Sequence, residues 1–292
     1  MNEAMASGTA CSAAAPELRG LDFLWLEITT RCNLTCTHCY SNSDMQQPLR
    51  GKLTLDDWLS ILRQAAELGC QKVQFIGGEP TVHPDLCAMI EAADRLHFQS
   101  IGVYTNATHF SPQLKQAFEA HKVALAISIY GTDPATHDLV TGHQGSFDRT
   151  VASLRWALQA GLKVRVGVTE MEENQGQLET IKKWLEAEGV KTIRWDRVRG
   201  IGRGIQQIRG VTPFNELCGA CWRGRLCVCA DGDVYPCVFA RAFPVGNAQE
   251  GLAAIVGNDR LLTFRRDIKA RGYEPSTMPA HDGVTSANSA VQ

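Results

Sequence analysis

Short apolar runs alternate with amphipathic segments along residues 21–195. The apolar runs predict six strands, at 24–28, 73–76, 101–105, 123–130, 163–169 and 192–195. Five segments with apolar residues at helical spacing separate them. Strands that alternate with helices form parallel β/α units, so the fold class is α/β. These units use about 175 residues, fewer than the ~250 of a complete eight-fold barrel. The pattern therefore fits a partial (β/α)6 parallel barrel or a doubly wound sheet.

The last three predicted strands carry a second pattern. One face of each is apolar, whereas the other is small, polar or charged. A strand packed on both sides would be apolar on both faces, so this face is predicted to line a hydrated cavity. An exposed sheet edge is the alternative. The candidates for substrate binding or proton transfer on this face and at the strand ends are Tyr130, Arg165, Glu170, Arg194 and Asp196. Internal ion pairs among them would explain the same residues.

The alternating pattern stops near residue 205, which ends a predicted barrel domain at 21–205. Residues 211–272 are cysteine-dense and rich in turns, and are predicted to form a small second domain. Residues 1–20 and 273–292 contain few large apolar side chains. We expect a disordered arm and a disordered tail there.

Composition narrows the function classes. The 292 residues are 44% apolar and 21% charged with a net charge of −2, so no electrostatic footprint for nucleic acid or an anionic membrane is present. The longest apolar stretch, 123–130, is far shorter than the ~20 residues of a membrane span. The first residues lack the pattern of a signal peptide. We expect a cytoplasmic protein that binds neither nucleic acid nor membrane.

Cysteine is the exception to this ordinary composition. Eight of the eleven cysteines fall in two windows, three in 32–39 and five in 218–237. A disulfide framework would scatter them and would need an oxidising compartment, so two metal sites are predicted. Cys32, Cys36 and Cys39 form a C-x3-C-x2-C loop that can bind three irons of a [4Fe–4S] cluster and leave the fourth iron open. Zinc is the alternative, but its fourth ligand would have to be the awkwardly spaced His38.

The segment RCNLTCTHCY, which ends at Tyr40, resembles the signature of radical S-adenosylmethionine (SAM) enzymes. The resemblance implies that the open iron chelates SAM and that reductive cleavage yields a 5′-deoxyadenosyl radical that abstracts a substrate hydrogen. The sequence GGEP after the second strand resembles the family's SAM-binding motif. The residues that the resemblance assigns to SAM are Tyr40, Gly77, Gly78, Glu79, Pro80, Thr105, Asn106 and Ser128. For the last three, polar caps at strand ends are the alternative.

The second cysteine window resembles the SPASM or twitch extension of the same family, which binds auxiliary clusters. Full SPASM domains have further cysteines, and none follows Cys237 here. The prediction is one auxiliary [4Fe–4S] cluster, with Cys229 as the spare cysteine and a structural zinc site as the alternative. The predicted ligands are Cys218, Cys221, Cys227 and Cys237.

These features predict an oxidoreductase that uses radical SAM chemistry. The first hypothesis is a maturase that modifies or crosslinks a ribosomally made peptide. The second is an oxidase of a small molecule, such as an aminoglycoside alcohol or a haem-precursor propionate, and the third a non-catalytic iron–sulfur or zinc protein. Ferredoxin or flavodoxin is the expected electron donor. A twenty-residue arm is too short for leader recognition, so a separate recognition protein is expected for a peptide substrate.

Overall fold

The computed structural model describes residues 18–271. Its strands form one nine-stranded sheet in the order β6-β5-β4-β3-β2-β1-β7-β8-β9. The strands are β1 (Phe23–Glu27), β2 (Lys72–Ile76), β3 (Ser100–Thr105), β4 (Ala124–Ser128), β5 (Val164–Glu170), β6 (Ile193–Arg197), β7 (Arg225–Cys229), β8 (Asp233–Tyr235) and β9 (Gly246–Asn247). Strands β1 to β6 are all parallel to their neighbours, which confirms the predicted (β/α)6 arrangement.

Helices follow the strands along the chain. They are α1 (Leu55–Glu67), α2 (Leu86–Arg95), α3 (Pro112–Ala120), α4 (Pro134–Thr141), α5 (Ser146–Gln159), α6 (Leu178–Ala187), α7 (Leu252–Gly257) and α8 (Asp259–Ala270). The main core fills the space between one face of the strands and these helices. Leu24, Leu26 and Phe75 of the sheet pack there with Trp58 and Leu62 of α1. Burial of such side chains stabilises the fold by roughly 2 kcal/mol each.

Helix α4 has no counterpart in the predicted elements. It is a two-turn helix that begins where the Asp133 carboxylate accepts a hydrogen bond from the Thr136 backbone (2.9 Å) and Pro134 occupies the first turn. Its Asp138 carboxylate accepts hydrogen bonds from the backbone of Gly145 and Phe147, where α5 begins. Because α4 is short and depends on these contacts, its apolar periodicity is too brief to be read from sequence.

The cysteine-rich region continues the barrel sheet. Strand β7 pairs in parallel with β1 over five residues, from Phe23↔Arg225 to Glu27↔Cys229. Strands β8 and β9 then add antiparallel pairs at the outer edge. The pairing of β1 with β7 therefore brings the first cysteine window, which follows β1, close to the second window, which contains β7.

The predicted arm and tail lie outside the described residues, except for residues 18–20 of the arm. Leu18 is buried there, and its carbonyl accepts a hydrogen bond from Arg265. Within residues 18–271, every helix is too short or too polar to span a bilayer.

The buried Arg265 ties α8 to the start of the chain and to β7. Its guanidinium donates to the carbonyl oxygens of Leu18 (2.6 Å), Gly20 (2.9 Å) and Arg225 (3.1 Å). Burial lowers the pKa of Arg265 to about 10, which leaves it charged at neutral pH. The charge is balanced by carbonyl dipoles and by the nearby Asp22.

We predict that Arg265→Leu lowers the free energy of unfolding by about 3 kcal/mol, because three buried carbonyl oxygens lose their charged donor. Urea unfolding of the reconstituted full-length protein measures this. Arg260→Leu, at an exposed position of the same helix, is the matched control and should change the value by less than about 0.5 kcal/mol. Equal effects of the two substitutions would contradict the role of Arg265.

Candidate active site

A cavity of about 190 Å³ lies at the carboxyl ends of the parallel strands. Parallel β/α folds place their ligand sites at this end. The predicted site residues that line it are Cys32, Cys36, Cys39, Tyr40, Gly77, Gly78, Thr105, Asn106, Ser128, Tyr130, Arg165, Arg194 and Asp196. Glu79, Pro80 and Glu170 do not line it. The polar alternation of strands β4 to β6 thus faces a cavity, as the sequence indicates.

The first cysteine loop lies against α4. The backbone N–H of Thr35 donates to the Thr141 carbonyl and that of Thr37 to the Val140 carbonyl, both at 3.0 Å. The Cys32 sulfur accepts hydrogen bonds from the Leu34 backbone (3.4 Å) and from the Asn106 amide (3.7 Å). Amide donors of this kind stabilise a thiolate and orient it. These contacts hold the loop at the cavity and orient the Cys32 sulfur.

Burial sets the protonation of these thiols. It raises the pKa of Cys32 to about 12, with a contribution from the carboxylate of Glu79. Burial and the neighbouring Cys32 raise the pKa of Cys36 well above its ordinary value. Buried thiols of this kind ionise when a cation binds the sulfur, because metal ligation takes the thiolate form. Their chemistry therefore suits a metal centre better than a free nucleophile.

The donor set fits an iron–sulfur cluster better than one metal ion. Among residues 18–271, no three His, Cys, Asp or Glu side chains converge on a single metal-ion position. A tetrahedral zinc site requires such convergence, whereas a [4Fe–4S] cluster binds each cysteine through a different iron. Cys32, Cys36 and Cys39 all face the same cavity without converging, which favours the cluster.

The glycines of the GGEP motif permit a close approach of two backbone segments. A Cβ atom on Gly77 would lie 2.4 Å from the Thr29 carbonyl oxygen, and one on Gly78 would lie 2.3 Å from that of Arg31. The Gly78 N–H donates to the Thr29 carbonyl at 2.8 Å. Only glycine fits both positions. The motif is therefore packed on the segment that leads into the cysteine loop, and its two glycines face the cavity.

Glu79 is buried beside the cavity rather than in its wall. Its carboxylate accepts hydrogen bonds from the hydroxyls of Thr81 (2.7 Å) and Thr105 (2.6 Å) and from the backbone of Asn106 (2.7 Å). The Asn106 amide in turn donates to Asn33 (2.8 Å) in the cysteine loop. Glu79 therefore joins the ends of β2 and β3 to the loop. Pro80 begins a short 3-10 turn and is buried.

The polar wall of the cavity contains one close ion pair. The Asp196 carboxylate pairs with Arg199 at 2.5 Å, and the Arg199 guanidinium lies over the Phe239 ring. Tyr130 packs edge-on against His38 of the cysteine loop, with ring centroids 4.9 Å apart. Glu170 is exposed at the end of β5. The structure therefore brings four of the five predicted catalytic candidates to the cavity and leaves Glu170 outside.

The sequence analysis missed a buried charge network between the two cysteine windows. Glu27, at the end of β1, forms an ion pair with Arg241 and accepts a hydrogen bond from the Tyr40 hydroxyl (3.3 Å). Arg241 also donates to the Cys229 sulfur at 2.6 Å. Although burial opposes its charge, Glu27 and the Cys227 and Cys229 thiols raise the pKa of Arg241. The sequence signal for this network is Glu27, a charged residue at the end of an otherwise apolar strand.

Arg203 is a second residue that the sequence analysis did not single out. Its guanidinium donates to the carbonyls of Cys36 and Ser43, both at 2.8 Å, and its backbone N–H to that of Cys39. The preceding Gly202 has a φ of +60°, and a Cβ there would lie 2.3 Å from the Cys39 carbonyl oxygen. The glycine-rich segment after β6 thus holds the cysteine loop in place.

The second cysteine window separates into two groups. The Cys221 thiol contacts those of Cys218 and Cys237, and the Cys221–Cys237 sulfur distance is 3.1 Å. Cys227 and Cys229 form the other group, on β7. These contacts and burial raise the pKa of Cys221 and of Cys229. The ligand set Cys218, Cys221, Cys227 and Cys237 stays a prediction.

We predict that Gly78→Ala lowers the free energy of unfolding by about 1–3 kcal/mol, because its methyl group forces the Arg31 carbonyl away. The same shift should reduce the iron retained by the first cysteine loop after anaerobic reconstitution. Urea unfolding and iron analysis measure both effects. Gly257→Ala, where a Cβ meets no atom within 4 Å, is the control and should leave both unchanged. Wild-type iron content and stability for Gly78→Ala would contradict the close approach.

Comparisons with known proteins agree with this geometry. A family profile described as the Radical SAM superfamily matches residues 26–185, and one described as an iron-sulfur cluster-binding domain, SPASM, matches residues 216–277. The mycofactocin maturase MftC of Mycobacterium tuberculosis is 32% identical in an alignment that covers 87% of this chain and 75% of that protein. The GTP 3′,8-cyclase of Cronobacter sakazakii is 30% identical over 220 residues, covering 72% and 66%.

A solved structure shares the fold. That of SuiB from Streptococcus suis bound to S-adenosylmethionine superimposes with a TM-score of 0.70 at 18% identity, covering 85% of this chain and 68% of that chain. The chain spans 40–75% of the length of the curated relatives it matches. The matched profiles include both cysteine windows and the strand end with GGEP. The chain therefore belongs to the radical SAM superfamily and carries a SPASM-type iron–sulfur domain in its carboxyl-terminal part.

Proposed function

We propose that this protein is a radical SAM enzyme that oxidatively modifies a peptide. The observation that carries the proposal is the convergence of the cysteine loop, the GGEP glycines and the polar wall on one cavity. Several relatives have names that refer to peptides, among them a PqqA peptide cyclase and the subtilosin biosynthesis protein AlbA. SuiB is also known in a complex with its precursor peptide SuiA. These names support a peptide as the substrate class.

Cys32, Cys36 and Cys39 would hold a [4Fe–4S] cluster, and the cavity beside them would receive SAM. When bound, this pair supplies one-electron reductive cleavage of SAM to a 5′-deoxyadenosyl radical, which abstracts hydrogen from a substrate. The chain's own contribution is to orient the loop through Asn106 and Arg203.

The walls of the cavity would also protect such chemistry from water. Apolar atoms of Trp25, Leu34, Tyr104, Tyr130 and Phe239 line it together with the polar groups. Reactive species persist only where competing groups and solvent are excluded. The Asp196–Arg199 ion pair and the hydrogen bonds of Arg203 engage polar groups near the cysteine loop.

The second cysteine window would hold one auxiliary [4Fe–4S] cluster, and the match to an iron-sulfur cluster-binding domain supports iron–sulfur binding there. Glu27 and Arg241 lie between this window and Tyr40 of the first loop. Their opposite charges compensate each other in a buried region where an isolated charge would be costly. Oxidation of the substrate requires an electron acceptor. An auxiliary cluster in this position would accept the electron.

The proposal extends to partners and location. A low-potential electron donor such as ferredoxin or flavodoxin would supply the electron for SAM cleavage, and a separate protein would recognise the leader of the peptide. We place the enzyme in the cytoplasm, where thiols that must bind iron remain reduced.

We predict that the reconstituted protein forms 5′-deoxyadenosine from SAM with dithionite and that Cys36→Ala forms none, since three cysteines are needed to hold the cluster. Liquid chromatography of the anaerobic reaction measures the product. Cys87→Ala is the matched control, because Cys87 lies on α2 away from the cavity and should retain wild-type formation. Formation of 5′-deoxyadenosine by Cys36→Ala would contradict the assignment of Cys36 as a cluster ligand.

A second prediction concerns the auxiliary site. The wild-type chain should bind about eight irons, and the triple variant Cys218→Ala/Cys221→Ala/Cys237→Ala about four, because each [4Fe–4S] cluster contributes four and only Cys227 and Cys229 remain in the second window. SAM cleavage by the triple variant should persist, while formation of the modified peptide is lost. Zinc in place of iron in the wild-type second site, or an unchanged iron content of the triple variant, would contradict the auxiliary cluster.

A further inference from the structure

Two arginines from neighbouring strands lie in the wall of the cavity. Arg194 of β6 is paired in register with Gly167 of β5, and Arg165 lies two residues before that glycine, on the same face of the strand. Side chains two residues apart on a strand point to the same side. Both arginines therefore enter the barrel interior, and both line the cavity that the cysteine loop faces.

Neither guanidinium has an acidic partner in the part of the chain that the structure describes. Arg165 lies over the Tyr104 ring, 5.5 Å from its centroid, and forms no ion pair with residues 18–271. The Nε atom of Arg194 is buried and has no hydrogen-bond partner among the same residues. Both side chains are half-buried, and a guanidinium that is partly withdrawn from water carries a desolvation cost unless an anion or several acceptors compensate its charge. The pair is thus built for an anion that the chain itself does not provide.

The other charged side chains of this cavity are already engaged. Asp196 pairs with Arg199, Arg197 pairs with Glu216 at 3.3 Å, and Arg203 donates to backbone carbonyls. Asp196 is the one acidic residue in the described lining. Burial and the neighbouring Arg194 lower the pKa of Arg165, whereas the nearby Tyr104 acts in the opposite direction.

A second cavity, of about 720 Å³, opens at the amino ends of the strands, and Arg165 and Arg194 line it as well. The arginine pair therefore lies between the two cavities. It forms the boundary between the upper cavity, which the cysteine loop faces, and the lower cavity at the amino ends of the strands. Exposed Lys163 and Lys191 line the lower cavity, and no acidic side chain does so among the described residues. This concentration of positive charge favours anions in the barrel interior.

We infer that Arg165 and Arg194 bind a carboxylate of the peptide substrate and thereby set its position beneath the cysteine loop. The inference rests on the proposed function for the substrate class. Two guanidiniums match the planar geometry of a carboxylate, and such bonds are short and directional. The carboxylate is either the free carboxyl terminus of the peptide or the side chain of an aspartate or glutamate. Most of the predicted SAM contacts lie towards β2 and β3, whereas this pair lies on β5 and β6.

The test uses the full-length protein with its clusters and SAM bound, without reductant. The probes are a mixture of N-acetyl dipeptides with a free carboxyl terminus, the same mixture as carboxamides, and the N-methylamides of N-acetyl-aspartate and N-acetyl-asparagine. Saturation-transfer NMR detects binding. We expect the free acids, the aspartate probe, or both to bind, and the carboxamide and asparagine probes not to bind. Binding that does not distinguish acids from amides would overturn the inference without any variant.

The variant arm assigns the binding to the two arginines. The doubly substituted Arg165→Gln/Arg194→Gln protein should bind the acid probes at least about 30-fold more weakly, because both cationic partners of the carboxylate are removed. Arg155→Gln, in a surface ion pair with Glu188, is the matched control and should bind them as the wild type does. Retained binding by the double variant would refute the assignment.

SAM also carries a carboxylate, so its dissociation constant is measured in parallel by calorimetry. The inference requires values for wild type and double variant that agree within about threefold. A loss of SAM affinity equal to the loss for the acid probes would assign the pair to SAM and overturn the inference. Formation of 5′-deoxyadenosine by the wild type reports separately on the proposed function, since the binding measurements involve no turnover.

Discussion

Strand β1 is the element on which the functional end of the molecule depends. It is hydrogen-bonded in parallel to β2 on one side and to β7 on the other. Parallel strands bring their carboxyl ends to the same edge of a sheet. The cysteine loop after β1, the glycines after β2 and the cysteines of β7 are therefore neighbours, although up to about 200 residues separate them in the chain. Loss of this pairing would separate the two cysteine windows.

The same strand carries the charge that stabilises the region between the two windows. Glu27 is 3% exposed and would be costly alone, but Arg241 and the Tyr40 hydroxyl satisfy it. Arg241 also donates a hydrogen bond to the Cys229 sulfur. A buried ion pair of this kind contributes little net stability compared with an apolar pair, but removal of one partner leaves an uncompensated charge. It therefore specifies how the second window docks on the barrel more than it stabilises the fold.

The local sequence pattern predicts some parts of the cavity wall but not others. On β4, β5 and β6, alternation of residue type predicts which side chains face inwards, and Ser128, Arg165 and Asp196 do so. Glu170 continues the polar pattern but lies exposed at the end of β5. Alternation predicts which face of the sheet a side chain lies on. How far the cavity extends along each strand depends on the elements packed around it. Glu79 is a second residue whose position the local pattern did not predict. Its motif indicates a contact with SAM, whereas its hydrogen bonds join the end of β3 to the cysteine loop.

The amino-acid sequence by itself determined the order of β/α units, the polar face of the sheet and the two groups of cysteines, because periodicity and spacing are local properties of the chain. Only the tertiary structure decided that β7 joins β1, that Arg203 holds the cysteine loop, and that Glu27 meets Arg241. These contacts join residues more than 150 positions apart, so no local pattern encodes them. That Arg165 and Arg194 meet no acidic side chain in the described part of the chain is likewise a tertiary property, because the residues that pack around a charge decide whether it is compensated.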